Sequence, residues 1–210
     1  MEIVRIEGTG TDQIIQAAIE VLEKGGLIAF PTETFYGLGV KFDVESALKR
    51  LCDMKQRPKD KAMPLIIGNR ELLHLVVSTV NSAAVALMDK FWPGPLTLIL
   101  PARKGLSEFI TAGTRKVAVR IPGESFALHL ARAASFPITA TSANISGRVP
   151  AQDAGTVRRY FGDTVDLLID AGPAPGSLPS TIVDVTGDSI KILREGVIRK
   201  ESLESVLNPW

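Results

Sequence analysis

The chain has 210 residues, 45% hydrophobic and 22% charged, with 24 Lys+Arg against 23 Asp+Glu. This is a globular composition; it excludes a disordered chain, and 18 Gly with 13 Pro excludes collagen-like and low-complexity classes. A formal net charge of +1 gives no global field toward nucleic acid or membrane, so any anion site has to be a local cluster.

Helical spacing of Ile14, Ile15, Ala18, Ile19 and Leu22 predicts a helix over 12–24, with Gly25-Gly26 supplying the positive φ of its C-cap. Leu27-Ile28-Ala29-Phe30 reads as a short buried strand ended by Pro31. A helix over 44–54 follows, with Asp43 as its N-cap. Residues 64–67 form a strand, Asn69 caps a helix through Val77, and a helix over 82–91 stops at Trp92-Pro93-Gly94-Pro95. Strands are expected over 96–100, 116–121, 138–141, 167–169, 181–185 and 190–193, and helices over 125–134, 154–161 and 201–207. There is no internal repeat, and the Gly/Pro-rich loop over 171–179 is too short to separate domains. The reading is one α/β domain over 1–210 with a mixed sheet.

Several familiar chemistries are missing from the sequence. Cys52 is alone, which excludes a disulfide framework and a cysteine metal site; it reads as a buried thiol on a helix. His74 and His129 stand far apart without a Cys or His at ligand spacing. No Gly-Lys dipeptide occurs, so there is no P-loop. Gly8-x-Gly10 and Gly37-x-Gly39 both lack the third glycine of a dinucleotide fingerprint, and no Gly-x-Ser-x-Gly elbow is present. The first residues carry no apolar signal core, and no run reaches the ~18 residues of a membrane span; the cytoplasm is the expected compartment.

Four polar clusters remain. Pro31-Thr32-Glu33-Thr34-Phe35-Tyr36-Gly37-Leu38-Gly39 follows a strand, where small hydroxyls and glycines suit the ligand crevice of an α/β sheet or, more plainly, a turn. Lys55-Gln56-Arg57-Pro58-Lys59-Asp60-Lys61 places four cations against one acid at a helix C-terminus. That pattern fits a solvated turn complementing the helix dipole, or a phosphate clamp of Lys point charges and an Arg fork. Residues 139–147, from Thr139 through Ser142, Asn144 and Ser146 to Gly147, could hold phosphate oxygens or Mg²⁺ waters, or cap a turn. Arg120 ends a strand, and Ser180 to Asp184 and Leu193 to Gly196 close the C-terminal part.

In this order the clusters resemble the YrdC-like family of threonylcarbamoyl-AMP synthases over about residues 10–205. The resemblance rests on the motif at 31–39, Lys55-x-Arg57, Val119-Arg120-Ile121-Pro122, Ser142-x-Asn144, Ser180 to Asp184 and Leu193 to Gly196. It implies a twisted mixed α/β sheet with flanking helices around a large concave basic cavity. It also implies a nucleotidyltransferase that makes threonylcarbamoyl-AMP and pyrophosphate from L-threonine, bicarbonate and ATP for tRNA threonylcarbamoyladenosine, a separate complex making the transfer to tRNA. By the same resemblance Lys55, Arg57 and Lys61 face the ATP phosphates, with Lys55 and Arg57 as the catalytic pair. Ser142, Asn144 and Arg194 complete the ATP side, Thr34, Arg120 and Ser180 take threonine, and Mg²⁺ arrives with ATP. Longer members of the family carry a second C-terminal domain and a His after Pro-Leu-x-x; this chain ends at Trp210 and has Gly68 there, so the shorter branch matches better. The competing readings are an RNA- or nucleotide-binding module without chemistry and a paralogue with an altered acceptor. Against the module stand the small net charge and an aromatic content of 6%, thin for base stacking; only weak tRNA binding is expected.

Overall fold

The computed structural model describes residues 1–6, 10–58, 60–176, 178–187 and 189–207; Gly8, Lys59 and Trp210, named above, lie outside them. In chain order the first half carries β1 (Glu2–Arg5), α1 (Thr11–Glu23), β2 (Ile28–Pro31), β3 (Tyr36–Gly39), α2 (Glu45–Lys55), β4 (Leu65–Ile66), a 3₁₀ turn (Arg70–Leu75), α3 (Ser82–Phe91) and β5 (Leu96–Pro101). The second half carries α4 (Glu108–Thr111), β6 (Lys116–Arg120), α5 (Phe126–Ala133), β7 (Ile138–Thr139), β8 (Thr141–Ser142), α6 (Ala154–Phe161), β9 (Leu167–Asp170), β10 (Thr181–Asp184), β11 (Lys191–Arg194) and α7 (Lys200–Leu207).

The strands form two mixed sheets, ordered β1-β9-β2-β3-β8 and β11-β10-β5-β6-β4-β7. The apolar run of β2 is explained by burial on both faces. Leu27 and Ala29 enter one core with Leu168, while Ile28 and Phe30 enter a second core with Leu167 and Ile169. Ile15, Ala18 and Leu22 of α1 and Phe126, Leu130 and Ala131 of α5 cover the second core. Leu48, Leu51, Leu87, Val157 and Leu203 bring α2, α3, α6 and α7 onto the first.

Four local expectations change. Tyr36–Gly39, read as a turn, is a strand antiparallel to β2. A Cβ on Gly39 would stand 2.8 Å from the Phe30 ring and 2.9 Å from the Thr139 carbonyl oxygen, so the closeness of the neighbours selects glycine there. The run expected over 138–141 splits at Ala140, β7 pairing with β4 in one sheet and β8 with β3 in the other. Asp43 does not cap α2: the helix begins a residue later, Val44 is its N-cap, and the Asp43 carboxylate lies 3.4 Å from Lys41 Nζ. The helix expected after Asn69 is a 3₁₀ turn, capped as read, with Asn69 Oδ1 accepting from the Leu72 amide at 3.2 Å.

Candidate active site

Strand alternation builds one wall of a cavity. Leu96, Leu98 and Leu100 of β5 enter the core, which turns Thr97 and Ile99 the other way; Val117 and Val119 of β6 likewise leave Ala118 and Arg120 on the cavity side. Ser180 and Ile182 continue this wall from β10 and the residue before it. The other sheet, β1-β9-β2-β3-β8, supplies Gly37, Thr141 and Ser142, and the turn between its β2 and β3 supplies Thr32 and Thr34. The cavity holds about 370 Å³, and Arg57, Arg120 and Arg194 line it without a carboxylate among its described lining residues.

The structure thus brings together Arg57, Arg120, Arg194, Thr34, Ser142 and Ser180. It does not bring Lys55, Lys61 or Asn144 into the cavity lining. Lys55 is 2% exposed, and its Nζ donates to the Ser142 carbonyl and, at 2.7 Å, to the Asn144 carbonyl. Burial, reinforced by the nearby Arg57 charge, pushes its amine down to about 7. A neutral amine keeps two N–H groups, enough for both carbonyls. The Ser146 amide donates to the Lys55 carbonyl at 2.9 Å, so the end of α2 and the 142–146 loop are clipped together. Asn144 tightens the same loop: its Nδ2 donates to the Ile145 and Arg148 carbonyls at 3.0 and 2.8 Å, and its Oδ1 accepts from Ser142 Oγ at 2.5 Å. Lys61 is exposed; its carbonyl accepts from Arg57 Nε at 3.0 Å.

Arg57 is held by its own turn. Besides Lys61, Nη2 donates to the Ala62 carbonyl at 2.6 Å and Nη1 to Thr141 Oγ1 at 3.3 Å. Three of five N–H groups are spent on the walls, leaving two for a guest. Arg194 straddles Ser180, donating from Nε and Nη2 to its carbonyl at 3.0 and 2.8 Å and from Nη2 to its hydroxyl at 3.1 Å. Burial first, and then the charge of Arg120, disfavours the Arg194 cation. An anion between the two guanidiniums would relieve both effects. Arg120 is 7% exposed, and burial opposes its charge while Glu33 supports it. Its Nη1 donates to Glu33 Oε1 at 2.6 Å.

Hydroxyl pairs complete the polar lining: Thr32 and Thr34 Oγ1 are 3.0 Å apart, and Thr97 Oγ1 and Ser180 Oγ 3.1 Å apart. Thr97 and Glu33 escaped the sequence reading of site residues. The alternation of Thr97 between core leucines was the available signal for the first; the Glu33–Arg120 pairing has no local signal. Gly68 lies outside the cavity lining, and a Cβ there would stand 2.2 Å from the Ala131 carbonyl oxygen. The α5 backbone, not a ligand, therefore selects glycine at this position.

Two sheets that enclose an arginine- and hydroxyl-lined cavity define an α/β protein suited by charge to an anionic guest. The chain belongs to the Sua5/YciO/YrdC family, whose model, described as "Telomere recombination", matches residues 20–196. It is 38% identical over 193 residues to a threonylcarbamoyl-AMP synthase of Pyrococcus abyssi, covering 92% of this chain and 57% of that protein. A Bacillus subtilis protein of the same name is 38% identical over 202 residues, covering 96% of this chain and 58% of its own length. The chain thus spans less than two thirds of these two relatives. Among solved structures, P. abyssi Sua5 complexed with L-threonine superposes with a TM-score of 0.91 at 36% identity, over 99% of this chain and 60% of that one. E. coli YciO superposes at 0.84 with 27% identity, over 96% and 98%.

Proposed function

We propose that this chain is a threonylcarbamoyl-AMP synthase, an adenylyl-transferring enzyme that joins L-threonine, bicarbonate and ATP and releases pyrophosphate and water. The observation that carries the reading is the convergence of Arg57, Arg120 and Arg194 with the hydroxyls of Thr34, Ser142 and Ser180 on one cavity. Relatives named for that activity and a neighbour solved with L-threonine support it.

The chemistry asks for placement and charge. Threonine's deprotonated amine takes up the one-carbon unit to give a carbamate. A carbamate oxygen then bonds to the α-phosphorus of ATP as the bond to pyrophosphate breaks. Every partner is anionic, so guanidiniums that offset repulsion and stabilise the developing charge supply the catalysis, and no protein nucleophile is needed. Arg120 receives threonine's carboxylate, with Thr34 and Ser180 beside it; Arg57 and Arg194 face the phosphates. Ser142 meets a phosphate oxygen or a water of the Mg²⁺ that ATP carries, and Asn144 and Lys55 hold Ser142 in place. The described residues contain no group of three His, Cys, Asp or Glu placed to hold a metal. When bound with ATP, Mg²⁺ would offset phosphate charge, and the Ser142 hydroxyl is the neutral group that would hold it directly or through one of its waters.

No described helix is long and apolar enough to cross a membrane, and we place the reaction in the cytoplasm, the labile product passing to a separate tRNA-modifying complex. Pyrophosphate release from ATP should require both threonine and bicarbonate. Arg120→Ala should raise the threonine requirement far more than the ATP requirement. ATP turnover indifferent to threonine would refute the reading.

A further inference from the structure

Glu33 has no part in the steps above, yet it contacts the arginine assigned to threonine. Thr32 Oγ1 accepts from the Thr34 and Phe35 amides at 3.1 and 3.2 Å and donates to the Phe35 carbonyl at 2.7 Å, which fixes the turn that carries Glu33. From the end of β2 in one sheet, Glu33 reaches Arg120 at the end of β6 in the other. Arg120 lines the main cavity, while Glu33 lines a neighbouring one of about 420 Å³ with Glu124, Ser125 and His129. The pair is a partition between the two spaces.

Glu33 touches a single corner of the guanidinium. Among the described residues, Arg120 Nε and Nη2 meet no other acceptor, so the edge that grips a carboxylate through two parallel N–H bonds is left open. Glu33 Oε2 is buried and finds no partner among the described residues. A buried ion pair kept for stability alone needs its remaining lone pairs satisfied to offset desolvation; this one is poorly built for that purpose. We propose that Glu33 is a positioning residue, which holds Nη1 of Arg120 across the gap between the sheets so that the Nε–Nη2 edge is presented to the carboxylate of the amino-acid substrate. This rests on the reading of Arg120 as the threonine receptor.

Two variants separate reach from charge. Glu33→Gln keeps an oxygen at the same distance from the backbone without the charge, and Glu33→Asp keeps the charge one methylene short. Calorimetric titration of each folded variant with L-threonine and, separately, with ATP reads the difference. Glu33→Gln should bind threonine within about threefold of the unmodified protein, whereas Glu33→Asp should lose about tenfold or more, as for a lost charge-assisted bond, with ATP affinity unchanged in both. The opposite order, equal losses in the two variants, or unmodified threonine binding in Glu33→Asp would overturn the positioning role. Should the unmodified protein bind ATP but no threonine, the assignment of Arg120 falls, and this inference with it.

Discussion

Lys55→Met is the sharpest test of how the cavity wall is held. Methionine keeps the apolar stem of the side chain and removes its terminal N–H donors, stranding the Ser142 and Asn144 carbonyls that Nζ now serves. Each stranded buried acceptor costs about 1–3 kcal/mol, and relief of the amine's own burial subtracts from the sum, leaving a net loss of about 2 kcal/mol at pH 8. The loss must depend on pH. The amine sits at about 7 in the fold against 10.5 in an unfolded chain. Between those values the unfolded chain holds a proton that the folded chain has released, so stability rises with pH, by up to about 1.4 kcal/mol per unit. Below about pH 7 both states are protonated and the contribution is flat. The methionine variant lacks this slope. Urea denaturation followed by circular dichroism from pH 6.5 to 8.5 should show the gap between the two proteins widening by about 2 kcal/mol. The range stops there because burial also raises the Cys52 thiol, whose effect on stability runs the other way in more alkaline solution. A gap that stays constant with pH would mean a lysine charged throughout, and equal stabilities would refute the clip.

Arg57→Ala should lower ATP affinity and turnover by about one to several orders of magnitude, with Arg57→Lys only a partial rescue because a point charge cannot reproduce the fork. Unchanged kinetics in both variants would remove Arg57 from the phosphate side. Gly68→Ala should destabilise the protein by about 1–3 kcal/mol or more, read as a lowered Tm, because the new methyl group meets the Ala131 carbonyl. An unchanged Tm would show that α5 can move away. Any tRNA binding should be weak and vanish near physiological salt, while threonine-dependent pyrophosphate release persists; salt-resistant nanomolar tRNA binding without turnover would favour an RNA module.

Most helices and the buried strands are legible because their apolar periodicity is local. β3 is not, since Gly37 and Gly39 read as turn residues, and the close neighbours that select glycine at 39, the Phe30 ring and residues 138 and 139, are tertiary. β1 is an outer strand with largely exposed side chains, so its pattern carries little apolar signal. The charged run after α2 is visible in sequence, but which cation turns inward is not. Lys55 goes to the loop at 142–146, 87 positions from its Ser142 partner. Arg57 goes to the cavity, held by the Lys61 and Ala62 carbonyls of its own turn and by distant Thr141. The Glu33–Arg120 contact spans 87 positions and depends on how one sheet sits against the other. Motif order can point to a family, while the partners of each charge are tertiary facts.

The parallel pairing of β1 and β9 carries a consequence for synthesis on the ribosome. Residues 2–5 are translated long before their partners at 167–170, and the cavity lining runs from Thr32 to Arg194. β2 can fold back on β3 at once, but its other edge also waits for β9. At about 5–20 residues per second, those edges stay unpaired for roughly ten to thirty seconds in each growing chain. Through that interval the nascent protein exposes strand edges open to other chains and cannot yet close a site around its arginines. Demand for holding chaperones should therefore fall on the growing chain before β9 has been made.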